Sequence, residues 1–462
     1  MPIHSQTFLN ALPPEWHVPL LPLIQAHVAD AAKVVVLDDD PTGTQTVHGV
    51  PVLTGWSTQA LAGELRDPSS LFYILTNSRS LEREAAAARS AEIARNLQAA
   101  AADVGRDYVL VSRSDSTLRG HFPAETDALM MASGLPVDGI LLVPFFEEGG
   151  RYTIDDVHYV REGGWLIPAA DTEYARDPVF GYTSSNLRQW VAERCGCSPD
   201  TVASISLADL RGGGPRRVEI CLSELENAQP CIVNATCYRD LEVLVAALLA
   251  SEAQGRRYLC RTAASFVRVR GGLDPAPLLT AADLGGRRGG LIIAGSYVRR
   301  TTEQIKAARA LKGVEPVELD VPGLFTGSPS AVIDAARAAA AGAMAAGRDA
   351  LVHTSRERVQ ASGGSALDTG RQVSQALVDL VAGLAIQPAW IVAKGGITSS
   401  DIATEALGIR RAWVRGQAIP GVPIWRTGPE ARWPAMDYVV FPGNVGEPES
   451  LARMIQLLRG TR

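Results

Sequence analysis

The chain has 462 residues, 46% hydrophobic and 20% charged, which suits sizeable buried cores and excludes a disordered protein. That length exceeds what one ordinary core supports, so two domains are expected. A net charge of −6 excludes a global positive field for nucleic acid or an anionic membrane, and any anionic ligand must be held by local arginines or backbone N–H groups.

No apolar run reaches the roughly 18 residues of a membrane span. The opening MPIHSQTFLNALPPEW has neither a basic nor an apolar signal region, so the expected location is the cytoplasm. The cysteines (Cys195, Cys197, Cys221, Cys231, Cys237 and Cys260) form no C-x-x-C pair and read as structural or incidental thiols. No histidine spacing suits a metal.

Four short apolar runs, KVVVLDD, LFYILTNS, DYVLVSRSDS and GILLVPFF, predict strands, with a helix over 81–102 between the second and third. This rhythm predicts α/β architecture with a mostly parallel sheet. Residues 151–194 are rich in aromatics and turn formers with little periodicity, which predicts a functional excursion or arm. Alternation resumes with PCIVNAT, a helix over 241–251 and RYLCRT. Residues 271–290 are rich in Gly, Pro and charge and read as a linker between an N-terminal domain, 1–270, and a C-terminal domain, 291–462. The second domain repeats strand and helix, so each domain is expected to hold a mostly parallel or mixed sheet flanked by helices.

In open α/β sheets ligands bind beyond the carboxyl ends of strands, so the loops there are the places to look for chemistry. The first, VVVLDDDPTGTQ, sets Asp38, Asp39 and Asp40 side by side at a strand end. Adjacent carboxylates repel, so they persist where they meet cations, donors or substrate hydroxyls, or where water solvates them. An acidic turn capping the next helix fits the same letters. So does the first motif of haloacid-dehalogenase-like phosphatases, in which Asp38 would be nucleophile and Asp40 general acid. The second loop carries Asn77, Ser78 and Arg79. The third, VSRSDSTLRGHF, packs Arg113, Ser114, Asp115, Ser116, Thr117, Arg119 and His121 together. Guanidinium grips a carboxylate bidentately while Asp and Ser take hydroxyl protons, so this set suits a small polyhydroxy acid. A surface salt-bridge cluster is the plain alternative.

In the C-terminal half, IIAGSYVRRTTEQI places Gly295 and Ser296 between strand and helix, with Thr301 and Gln304 spaced as a capping box. WIVAKGGITSSDI puts Lys394, Gly395, Gly396, Thr398, Ser399 and Ser400 in the same setting, and VVFPGNVGEP repeats it with Gly443, Asn444 and Gly446. Such turns let backbone N–H groups approach phosphates. None is a Walker A, because Lys394 precedes its glycines. RGGGPRR at 211–217, with no strand expected before it and no helix after it, is set aside as a dinucleotide site.

Taken together, these motifs resemble the four-carbon acid sugar kinase family over nearly the whole chain. The resemblance is carried by Asp39-Asp40-x-Thr42-Gly43, NSRS at 77–80, SDSTLRGH at 114–121, Gly150, Arg151, Thr153, Asp177, Pro178 and 185–187, and then by 295–296, 395–399, 416–425 and 442–446. It implies a first domain for the sugar acid, a second for ATP, an active site in the cleft between them, and transfer of the γ-phosphoryl to a terminal hydroxyl. Family positions carry over as Asp39, Arg79, Ser114, Asp115, Ser116 and Thr117 for substrate, and as Ser296, Gly395, Gly396, Ile397, Thr398, Gly443, Asn444, Val445 and Gly446 for ATP. On this reading Asp39 or Asp115 accepts the hydroxyl proton, Arg79 and Arg113 clamp the carboxylate, Asp40 and Arg119 complete the acceptor face, and Mg²⁺ bridges the phosphates. The phosphatase alternative requires a later acidic pair, for which TIDDVH at 153–158 is a loose match. A non-catalytic sugar-acid sensor would leave the second domain's glycine turns unused. Which acid is the substrate, which residues ligate metal and whether the chain forms a homo-oligomer are not legible at this level.

Overall fold

A computed structural model describes residues 2–28, 31–295, 299–355, 366–443 and 445–461. The chain divides into two compact units, Met1–Pro275 and Ala276–Arg462. Between 271 and 290 lies the short helix Ala281–Leu284, capped reciprocally by Thr280 and Asp283.

The first unit is built on eight parallel strands in the order Ala203–Ile205, Gln229–Val233, Gly139–Val143, Tyr258–Thr262, Tyr108–Arg113, Lys33–Asp38, Leu71–Leu75 and Val50–Leu53. Every residue of Lys33–Asp38, Leu71–Leu75 and Gly139–Val143 is buried, as strands covered on both faces must be. One face packs against the helix Arg83–Val104 through Ile93, Ala94, Leu97 and Ala100. Farther along the same face, Leu118, Phe122, Leu142, Trp190 and Ile232 form a second cluster.

Topology locates the site. After Lys33–Asp38 the chain moves to Val50–Leu53 and Leu71–Leu75 on one side, whereas after Tyr108–Arg113 it moves to Gly139–Val143 on the opposite side. Lys33–Asp38 and Tyr108–Arg113 are neighbours whose connections diverge, so a crevice opens beyond their carboxyl ends. Asp38 and Arg113 are paired across it in register.

The first part of the irregular passage expected as an excursion is sheet, and its end is the helix Leu187–Cys195. Arg151–Ile154, Val157–Glu162 and Trp165–Pro168 form an antiparallel meander, with Ile3–His4 added along Trp165–Pro168. Asp155 and Asp156, both at positive φ (50° and 64°), make its first two-residue turn. The stretch 211–217 also differs from expectation, since it opens the helix Gly214–Ser223. Arg211 there is buried in an ion pair with Asp240 (2.8 Å).

In the second unit the strand order is Arg411–Ile419, Val422–Thr427, Asp437–Phe441, Ile391–Lys394, Leu291–Ala294, Asp349–Thr354 and Val314–Leu319. The first two are antiparallel and the remaining five mutually parallel. Connections diverge again, here after Leu291–Ala294 and Ile391–Lys394. Gly295 and the turn at Gly395-Gly396 therefore follow the two strands at this unit's switch point, and Gly443 follows the adjacent strand Asp437–Phe441. Among the described residues no helix is long and apolar enough to cross a membrane.

Candidate active site

Backbone bonds stitch the acidic loops of the first unit together before any side chain contributes. Asp39 N donates to Arg113 O (3.3 Å), Thr76 N to Asp38 O (2.9 Å), Arg79 N to Asp39 O (3.3 Å) and Ser114 N to Thr262 O (2.8 Å). Three separate loops thereby meet around the three adjacent aspartates.

Each aspartate has a different fate. Asp38 is buried and accepts from Arg113 Nη1 at 2.9 Å; burial pushes its carboxyl up to about 7 against the pull of that guanidinium. Asp40 accepts from Thr42 N (2.8 Å), capping the 3₁₀ turn Pro41–Thr46, and pairs with Arg79. Burial would raise the Asp40 carboxyl, but Arg79 and the Thr42 bonds hold it below its ordinary range. Asp39 is 3% exposed, and among the described residues neither of its carboxylate oxygens has a hydrogen-bond donor. Its nearest cations are Arg113 Nη1 (3.5 Å) and Arg79 Nη1 (4.0 Å). Burial pushes Asp39 up to about 6 despite Arg79 and Arg113, with Glu125 and Asp40 adding to the rise.

The loop after Tyr108–Arg113 is wired differently. Asp115 takes a two-pronged bond from Arg119 (Nε 2.8 Å, Nη2 3.2 Å), bonds from Thr117 N and Oγ1, and an ion pair from Arg79 (3.2 Å). Burial opposes its charge, yet Arg119 and Arg79 outweigh it and hold the carboxyl well below the usual carboxylate range. The Ser114 hydroxyl is buried without a described partner, and Ser116 and Thr117 are buried beside it.

The antiparallel meander buttresses this loop from behind. His158 joins Thr153 Oγ1 (3.0 Å) to the carbonyl of Ser116 (2.8 Å), and Tyr182 OH donates to the carbonyl of Thr117 (2.9 Å). Asp177 stands 3.7 Å from Arg119. Asn186 caps the helix Leu187–Cys195 by accepting from Arg188 N and Gln189 N. The letters of the irregular passage thus hold the loop 114–121 in place.

Two expectations are corrected by this geometry. Arg113 is 5% exposed and committed to Asp38 and Asp39, so it is an internal counter-ion and not a free clamp. Asp38 cannot serve as a phosphatase nucleophile, because it is bonded to Arg113 and covered by Gly43, and the TIDDVH carboxylates lie in a hairpin turn. A Cβ on Gly43 would sit 2.2 Å from Asp38 Oδ1. Gly43→Ala is expected to destabilise the protein by about 1–3 kcal/mol, the scale of an overpacked core; an unchanged thermal midpoint would contradict that close approach.

In the second unit, Gly395 (φ +114°) lies between Ile391–Lys394 and the helical turn Gly396–Asp401, and donates from N to Phe441 O (2.9 Å). Lys394 is fully buried, with Nζ donating to Pro442 O (2.9 Å) and Gly443 O (3.4 Å), so it shapes the second glycine loop instead of reaching outward. Thr301 and Gln304 do not form the expected capping box, because the helix Arg299–Arg309 is already running there. They tie down the same loop, Thr301 on Gly443 O (3.2 Å) and Gln304 on Val445 O (3.0 Å) and Glu447 O (2.9 Å). The turns 395–398 and 443–446 are thereby linked, Thr398 is buried, and Ile397 is 54% exposed. Ser296 and Asn444 lie outside the described residues.

Sequence reasoning missed Arg261, Glu125, His158 and Tyr182. Glu125 accepts from Ser78 Oγ (2.5 Å) in the buried wall behind Asp39. Arg261 carried a readable signal, a charged residue inside the apolar strand run YLCRT.

Residues 34–270 match a family model described as a sugar-binding N-terminal domain, and residues 291–451 one described as a nucleotide-binding C-terminal domain. The chain belongs to this family. The resemblance to four-carbon acid sugar kinases drawn from the motifs therefore holds. Among curated relatives, D-threonate kinase of Cupriavidus necator is 27% identical over 386 residues, covering 80% of this chain and 84% of its own. The 3-oxo-tetronate kinase of Methylobacterium radiotolerans is 26% identical over 434 residues, covering 91% and 98%. The solved structure of Haemophilus influenzae protein HI1011 shares the fold at a TM-score of 0.63 and 19% identity, covering 92% of this chain and all of that one.

Proposed function

We infer that this chain is a sugar-acid kinase that uses ATP to phosphorylate the terminal hydroxyl of a small, four-carbon-type acid. The observation that carries the reading is Asp39, a buried carboxylate without a donor at the switch point of the unit that matches a sugar-binding domain. Kinship with two kinases of four-carbon acids supplies the reaction class.

Phosphoryl transfer asks little covalent help of a protein; it requires positioning, charge neutralisation and a base for the attacking hydroxyl. Of the two expected bases, Asp39 fits and Asp115 does not. A carboxyl near 6 whose oxygens have no donor accepts a proton at neutral pH, whereas Asp115 is saturated by Arg119, Thr117 and Arg79. Arg79, held between Asp40 and Asp115, and the unpartnered Ser114 hydroxyl orient the acceptor. Gly395–Thr398 together with Gly443, Val445 and Gly446 hold the nucleotide phosphates through backbone N–H groups.

Among the described residues no cluster of three His, Cys, Asp or Glu is arranged to cage a metal ion. Mg²⁺ suits such a site as a partner of the nucleotide's own phosphates, needing few protein ligands, and when bound it neutralises their charge.

The test is a panel of D-threonate, D-erythronate, 3-oxo-tetronates and branched acids with ATP, scored by ADP release and by the position of the new phosphate. ADP release with at least one acid is expected. Phosphate release from a general phosphoester without ATP, and no turnover of any acid, would return the phosphatase reading.

A further inference from the structure

We propose that Arg261 is the residue that binds the carboxylate of the acid substrate, an assignment that rests on the sugar-acid kinase reading. Arg261 lies near the carboxyl end of Tyr258–Thr262, where Thr262 is in register with Arg113, and its side chain is 5% exposed.

Charge pairing around the crevice sets Arg261 apart from the other arginines. Arg79 faces Asp40 and Asp115, Arg113 faces Asp38 and Asp39, and Arg119 faces Asp115 and Asp177. Among the described residues Arg261 has no carboxylate within 4.0 Å, and its one hydrogen bond runs from Nη2 to the carbonyl of Arg119 (3.3 Å). Phe122 and Trp190 hold the guanidinium from their rings, with centroids 5.2 and 5.4 Å away. Such contacts offset only part of the cost of burying a cation without a counter-ion, so an anion entering here gains an unusually strong partner.

Its position matches that role. A Cβ built on Gly120 would stand 3.3 Å from Asp39 Oδ2 and 3.4 Å from Arg261 Nη2, so the donor-free carboxylate and the guanidinium both lie against that glycine. Arg261 also lines a small cavity with Asp115 and Thr262. Asp39 and Arg261, both close to Gly120, suit a ligand with a hydroxyl at one end and a carboxylate at the other. The guanidinium fork binds a carboxylate bidentately, which lysine cannot reproduce.

The experiment compares wild type, Arg261→Gln and Arg261→Lys. Each is assayed with the acid of the panel that is turned over fastest and with its neutral primary amide. Arg261→Gln is expected to raise KM for the acid roughly 10- to 100-fold while changing kcat and the KM for the amide less than about threefold, with Arg261→Lys between. Equal losses for acid and amide would assign Arg261 to structure, and a loss confined to kcat would assign it to Asp39; either result overturns the proposal. Calorimetric binding of D-threonate, a second readout that needs no turnover, is expected to weaken by the same factor. If Arg261→Gln melts with no folded baseline, Arg261→Lys carries the comparison, and undiminished preference for the acid over the amide refutes the assignment. Absence of ADP release by wild type with every acid overturns the kinase reading, while D-threonate calorimetry still decides Arg261.

Discussion

Replacing Asp39 by asparagine is expected to lower kcat by about a hundredfold or more at saturating ATP and acid, the scale of a lost general base. The substitution keeps the shape of the site and removes only the group that accepts the proton. In the wild type, kcat/KM should climb as pH rises through about 6, where burial has pushed the Asp39 carboxyl, and the variant should lose this limb. Stability should move the other way. Because the folded-state value lies above the ordinary carboxylate value, the native protein favours protonated Asp39, and stability is lost as pH rises from about 4 through 6. Asparagine cannot ionise, so near pH 8 the variant avoids a cost on the order of 3 kcal/mol and should melt at or above wild type. Inactivity with a raised melting point separates a catalytic from a structural role. Retained turnover would refute the assignment of Asp39.

Arg113→Met is expected to produce the largest stability loss. Its guanidinium, 2.9 Å from Asp38 and 3.5 Å from Asp39, is the shared counter-ion of two buried neighbours. Methionine fills part of the volume but leaves both carboxylates without it. Breaking a buried pair in this way costs about 3–5 kcal/mol, a fall of roughly 10 °C in a domain of this size. The deficit should shrink as pH falls from 8 towards 5, because both carboxyls then bind protons in the folded state and cease to repel. Thermal melts of both proteins across that range check the prediction. A melting point within about 2 °C of wild type near pH 8 would mean that the charges are relieved in some other way.

Much of this molecule was legible before folding was considered. Apolar runs bounded by turn residues located Lys33–Asp38, Leu71–Leu75, Tyr108–Arg113 and Gly139–Val143, because strand burial is written in local hydrophobicity. Where local pattern failed, long-range structure was responsible. The meander over 151–168 was hidden because its strands are short and its first turn uses Asp155-Asp156 instead of glycine. Thr301 and Gln304 have capping-box spacing, yet they serve a loop some 140 residues away. Arg261 sat unnoticed in a strand, since nothing adjacent in sequence tells which cations lack partners.

The sequence by itself determined the α/β rhythm, the division into two domains, the loops that carry chemistry and the family to which they point. Only the tertiary structure decided that Asp38 is a buried ion-pair partner, Asp39 a raised carboxylate without a donor, and Asp40 a capped, charged one. Their own letters are identical; desolvation and the placement of Arg79 and Arg113, brought in by other strands, make them different acids.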